Sequence, residues 1–217
     1  MKRVLLHTIL LCLFSQLSMA STEKRLNFLM DTLEVSATDE KTWANLWGAA
    51  WVTVSAGQLI ASGFIKDSKT KTELHVGAVN AAVGIIPTLI FRPRVIRDYE
   101  KFKSTTFQNQ NEQITAAEEI LAKDTDDKKL RRGWVAHTGN VLFNIGVSLL
   151  LSLHYKSHQA ALISFVTGVP IGAFMIWSQP TSSIEKENIY YEKNKSNFTT
   201  SLFLQDSGAG LALSYVW

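Results

Sequence analysis

Apolar positions fall in blocks separated by charged stretches, and their length and spacing predict a mainly α-helical chain. Four apolar segments stand out: about Trp43 to Ile65, Val76 to Phe91, Trp134 to Leu153 and Ala160 to Trp177. Each is near or within the roughly 17–25 residues a helix needs to cross a bilayer core. None has Lys, Arg, Asp or Glu in its interior. They are nonetheless polar for lipid-facing helices. The first holds Asn45, Thr53, Ser55, Gln58 and Ser62, and the third holds His137, Thr138, Asn140, Asn144 and Ser148.

That mixture predicts helices packed on one another through small residues, with amides bonding across the contact. Gly168 and Gly172 form a GxxxG pair, and Gly77 with Ala81 forms a looser small-residue pair. His137, Asn140 and Asn144 share one helix face as intramembrane polar groups, read here as interhelical hydrogen-bonding residues. The tryptophan stripe Trp43, Trp47 and Trp51 reads as core or interfacial packing.

The segments also repeat in plan. Trp43 stands five residues before Gly48, and Trp134 stands five before Gly139. A polar turn follows in each half, 66–74 or 154–159, then a helix with Gly84 and Pro87 or with Gly168 and Pro170. The expected architecture is two helical hairpins, 43–91 and 133–180, in a membrane-associated bundle. Between them, residues 92–132 are charged. Val95, Ile96, Tyr99 and Phe102 at helical spacing predict a long amphipathic helix outside the bilayer, broken near Asp124 to Asp127. The basic residues of this connector read as a solvated face, or as a contact for anionic lipid head groups. Residues 21–42 form a polar N-terminal segment, with a helix start expected at Ser36 to Asp39.

The two ends differ from the rest. Residues 1–20 have the form of a signal peptide: Lys2 and Arg3, an apolar run from Val4 to Leu17, then small residues at Ser18 and Ala20. Cys12 is the only cysteine, so cleavage would leave a chain with no thiol. In the tail, 181–217, Phe198 to Leu204 alternates apolar with polar, 206–210 is a turn, and Leu211 to Trp217 alternates again, which predicts a β-hairpin. Leu211, Leu213, Tyr215 and Trp217 fall on one side of that last strand. This pattern resembles the C-terminal signal of bacterial outer-membrane proteins, which implies an outer-membrane address. The remainder of the chain departs from that class, since a barrel needs at least eight strands.

Charge then separates the locations. If residue 21 emerges outside and all four segments span, the ten Lys and Arg residues of 92–132 also lie outside, against the positive-inside rule. Spanning in the outer membrane after export, dipping into one leaflet, or a soluble periplasmic bundle would each resolve the conflict. The outer membrane is favoured over the inner. A net charge of +3 with mixed signs argues against a nucleic-acid partner. No catalytic, cofactor or metal signature is present, so an enzyme is the least supported class. The expected function is a non-enzymatic envelope component with a scaffolding role, its partners membrane lipid and an envelope protein or a second copy. The alternative is an oligomeric transport or lipid-handling protein.

Overall fold

The computed structural model describes the backbone of residues 2–195, 198–205 and 208–215, and the side chains of residues 22–192. Among the described residues the chain is mainly helical. Its helices are α1 (Lys2–Phe64), α2 (Ser68–Ile85), α3 (Arg94–Ser104), α4 (Gln110–Arg132), α5 (Trp134–Leu149), α6 (His158–Trp177) and α7 (Ser182–Lys195). Helices α2 and α5 each continue into a π-helical turn, Ile86–Ile90 and Leu150–His154. The tail backbone is extended over β1 (Phe198–Gln205) and β2 (Gly208–Tyr215), with Phe198 opposite Tyr215 and Gln205 opposite Gly208.

Several expectations from the chain pattern change here. The helix start expected at Ser36 to Asp39 does not exist, because those residues lie inside α1. The 21–42 segment is therefore the first half of the helix that carries Trp43 to Phe64. The connector is two helices rather than one. Its break falls at 105–109, and α4 runs unbroken through Asp124 to Asp127. The break has a local cause: Asn109 caps α4 by accepting from the Glu112 amide, while the Glu112 carboxylate accepts from the Gln108 amide. The loops between the apolar helices are shorter than expected, only 65–67 and 155–157. Asp67 starts α2 early by accepting from the Thr70 amide.

Helices α3, α4 and α7 pack with residues 22–42 of α1 into a bundle with its own core. Leu26, Leu29, Leu33 and Ala37 of α1 meet Val95, Ile96, Tyr99 and Phe102 of α3 and Ile114, Ala117 and Leu121 of α4. Each set has the three- and four-residue spacing that puts apolar side chains on one helix face. Tyr190 of α7 closes the core, stacked on Phe28 at 5.9 Å. Its hydroxyl donates to Glu118 and accepts from Arg25, and burial with the Glu118 contact pushes its pKa up to about 12.

At the other end of this bundle, side chains of α1, α4 and α7 bury a charged network. The Lys128 ammonium is fully enclosed, donating to Ser36 Oγ at 2.6 Å and Ser183 Oγ at 2.8 Å. It pairs with Asp124 at 3.0 Å and lies 3.6 Å from Glu40. Ser36 in turn donates to Asp124 at 2.6 Å, and Arg131 grips both oxygens of Glu40 at 3.0 and 3.3 Å. Two cations face two carboxylates, so the buried charge cancels. The expectation that the whole charge run of 92–132 forms a solvated face is thus overturned at Asp124, Lys128 and Arg131. Other charges of the run, such as Arg92, Arg97 and Lys103, are exposed.

Three stretches are long and apolar enough to cross a membrane, within Ser68–Ser104, Trp134–His154 and His158–Glu192. Only 17%, 11% and 6% of their apolar windows are buried, so these helices turn most of their apolar surface outward. Residues 43–64 of α1, expected as a fourth such segment, fall short of them. Asn45, Gln58 and the tryptophans dilute its apolar character.

Removing one partner from a fully buried ion network leaves the others charged in a dry interior. Lys128→Met should cost about 3–5 kcal/mol of unfolding free energy, with Lys128→Met/Asp124→Leu recovering a large part of it. Chemical denaturation in detergent measures both variants; a double variant no more stable than the single one would remove the network from its central role.

Candidate functional site

Residues 43–64 of α1 lie antiparallel to α2 in a ladder of close contacts. Gly48 meets the Leu89 side chain, Gly84 the Trp51 ring and Gly77 the Gln58 amide; a Cβ on Gly77 would lie 2.5 Å from Gln58 Oε1. Ser55 donates to the Ala78 carbonyl at 2.9 Å, and Ser62 bonds His75 Nε2 at 2.9 Å. The contact pairs keep a nearly constant sum of residue numbers, as an antiparallel helix pair requires. Gly77 and Ala81 thus lie in α2, Gly77 against Gln58 and Ala81 buried.

Helices α5 and α6 pack in the same manner, with amides in place of tryptophan. Gly168 receives the Asn144 amide and Gly172 the Asn140 amide; a Cβ on Gly172 would lie 2.5 Å from Asn140 Cγ. Asn140 Nδ2 donates to the Val169 carbonyl at 2.9 Å, and Asn144 Nδ2 donates to Asn140 Oδ1 at 2.9 Å. In apolar surroundings these bonds satisfy groups that would otherwise be costly to bury. His137, from the same helix face, is half-buried and lies outside this amide pair and the cleft described below.

The two pairs touch at their ends. At the end near the bundle of α1, α3, α4 and α7, Trp43 and Trp47 both donate their indole N–H to Ser178 Oγ, at 3.2 and 3.0 Å. Trp47 also meets the Phe174 ring edge at 5.9 Å, and Arg132 caps α6 by donating to the Trp177 and Gln179 carbonyls. Trp43 is buried here, whereas Trp134 and Trp177, 77% and 68% exposed, are placed as interfacial anchors would be. At the far end Ser157, in the loop after α5, donates to Glu73 of α2. Both short loops are therefore at one end of the apolar helices and the bundle of α1, α3, α4 and α7 is at the other.

Between these contacts the pairs stand apart, leaving a cleft of about 670 Å³. Apolar groups such as Val54, Phe143 and Ile171 dominate its walls, with Gln58, Asn80, Asn140, Asn144 and Glu73 among the polar ones. Two buried polar atoms in the wall, Trp51 Nε1 and Gln58 Oε1, have no hydrogen-bond partner among the described residues. Such a cleft, apolar with a few fixed polar groups and within the roughly 300–1,000 Å³ of ligand pockets, can hold one amphiphilic chain. Sequence reasoning placed Asn140 and Asn144 at helix contacts but missed Trp51, Gln58, Asn80 and Glu73 as walls of one space. Among the described residues no three His, Asp or Glu side chains converge as a metal site.

Of the C-terminal strand residues, Leu211 stands opposite Leu202, Leu213 opposite Thr200 and Tyr215 opposite Phe198, while Trp217 lies outside the described residues. The class defined by this arrangement is a mainly helical protein with three helices fit to cross a membrane and a cleft between its helix pairs. Neither a family model, nor a curated protein, nor a solved structure matches the chain.

A methyl group at Gly172 would displace the Asn140 amide and cost its bond to Val169. Gly172→Ala should therefore destabilise by roughly 1–3 kcal/mol. Gly146→Ala, where a Cβ meets nothing within 4 Å, should be neutral or slightly stabilising on helix propensity. Thermal unfolding of the detergent-solubilised variants measures this; equal effects would show that Gly172 has no special packing role.

Proposed function

We propose that the chain is a non-enzymatic helical membrane protein that takes a membrane lipid into the cleft between its two helix pairs. In this reading residues 43–64 join the three more apolar helices in the bilayer, completing two hairpins. Their 22 residues would span about 33 Å at 1.5 Å per residue, close to the thickness of a hydrocarbon core. The observation that carries the reading is a cleft clasped at both ends, apolar along its walls, with unpartnered polar atoms within. Lipid handling thereby moves ahead of pure scaffolding. The pairing surface for a protein partner would be the tail, whose strands could add to another sheet.

Two glycines on α5 allow a matched test. At both Gly139 and Gly146 an added Cβ meets no neighbour within 4 Å, but only Gly139 lines the cleft. Gly139→Trp should lower the lipid retained by the purified protein several-fold, as counted by native mass spectrometry, whereas Gly146→Trp should leave it unchanged. Equal retention in both would sink the lipid-cleft reading.

We further propose export, with cleavage after Ala20 and residence in the cell envelope, the outer membrane ahead of the inner. This rests on the basic, apolar and small-residue order of residues 2–20 and on the alternation that ends at Trp217. Intact mass of protein from separated membranes should lack residues 1–20 and come from the outer-membrane fraction. Full-length protein in the inner membrane would overturn both parts.

A further inference from the structure

The cleft has a chemical polarity along its length, and Glu73 defines it. Among the described residues that line the cleft, Glu73 alone carries a formal charge. It lies on α2 near the loop end. Counting back from Phe91 at 1.5 Å per residue, it is about 27 Å from the end that meets the bundle of α1, α3, α4 and α7. Its carboxylate accepts from Ser157 Oγ and, among the described residues, has no ion pair. A partly buried carboxylate at the mouth of a mainly apolar cleft favours a cation in that cleft. Lys69, Lys71 and Lys156 are exposed around the same rim and can meet an anion. Deeper in, Gln58, Asn80 and Asn144 are followed towards the other end by Trp51 and the apolar contact of Trp47 with Phe174.

We propose that the loop end of the cleft is a head-group subsite for an amine-headed phospholipid. The ammonium binds Glu73, the phosphate faces the rim lysines, and one acyl chain runs inward past Gln58 towards Trp51. Charge complementarity selects this occupant. An anionic head group without an amine would place negative charge beside Glu73, and a neutral lipid would leave the carboxylate unpaired. The inference deepens the lipid-cleft reading and rests on it.

Full-length delipidated protein in detergent would be titrated with phosphatidylethanolamine and phosphatidylglycerol of identical acyl chains, with bound lipid counted by native mass spectrometry. The wild type should prefer the ethanolamine lipid about tenfold, the equivalent of about 1.4 kcal/mol. Glu73→Gln, which keeps the size and the acceptor oxygen but removes the charge, should bring the ratio to about one while binding persists. Glu73→Asp should retain the preference, and Gly139→Trp should weaken both lipids together. A wild type without preference, or a Gln variant that keeps it, overturns the subsite alone. Failure of the wild type to bind either lipid overturns the lipid-cleft reading as well.

Discussion

Lys128 sits where it would be least tolerated without partners. An ammonium with no exposure to water is stable only when its donors are used and its charge is cancelled. Ser36, Ser183, Asp124 and Glu40 do this, and Arg131 holds Glu40 from the other side. These residues come from α1, α4 and α7, so the network joins three helices at one level. That level is where α1 passes towards Trp43, where α4 gives way to α5, and where α6 has just returned to α7. The requirement that every buried charge be met therefore holds in register the helices that enter and leave the apolar part. Hydrophobic packing alone would permit these helices to slide; directional charged bonds do not.

From this anchored end the apolar helices diverge into two pairs. Within a pair the contact is intimate, because glycine on one helix admits an indole or an amide from the other. Between pairs the described residues meet at an aromatic clasp near the bundle and at a hydroxyl–carboxylate contact at the loops. A space closed at its ends and open along its middle follows from that division. Its walls combine outward apolar surface with amides too costly to leave scattered in lipid.

The helical character of the chain, its apolar blocks and the small-residue contacts were all legible in the order of residues. Gly168 with Gly172 and Asn140 with Asn144 were recognisable because helical periodicity places each pair on one face. The cleft was not legible. Trp51, Gln58, Asn80 and Glu73 are separated along the chain and face one space only once the pairs have been positioned. The bundle of α1, α3, α4 and α7 was hidden for a related reason: 21–42 and 92–132 look like solvated charge until their apolar stripes are set against each other. Asp124 to Asp127 resembled a helix break because a run of acids reads as solvated. In the fold Asp124 is buried, paired with Lys128 one turn on and bonded by Ser36, some ninety residues away.

Sequence by itself determined the mainly helical character and the apolar blocks, because helix periodicity and apolar length act over a few turns, but not where the helices of 21–42 and 92–132 begin and break. Small residues recur at helical spacing at Gly77, Gly168 and Gly172, and in the fold each lies against an amide side chain of the neighbouring helix. Tertiary structure decided which charges are buried, which loops share an end and where the empty space lies. Each of those depends on residues far apart in the chain, up to 135 positions for Trp43 and Ser178, meeting in three dimensions, and no local pattern encodes such a meeting.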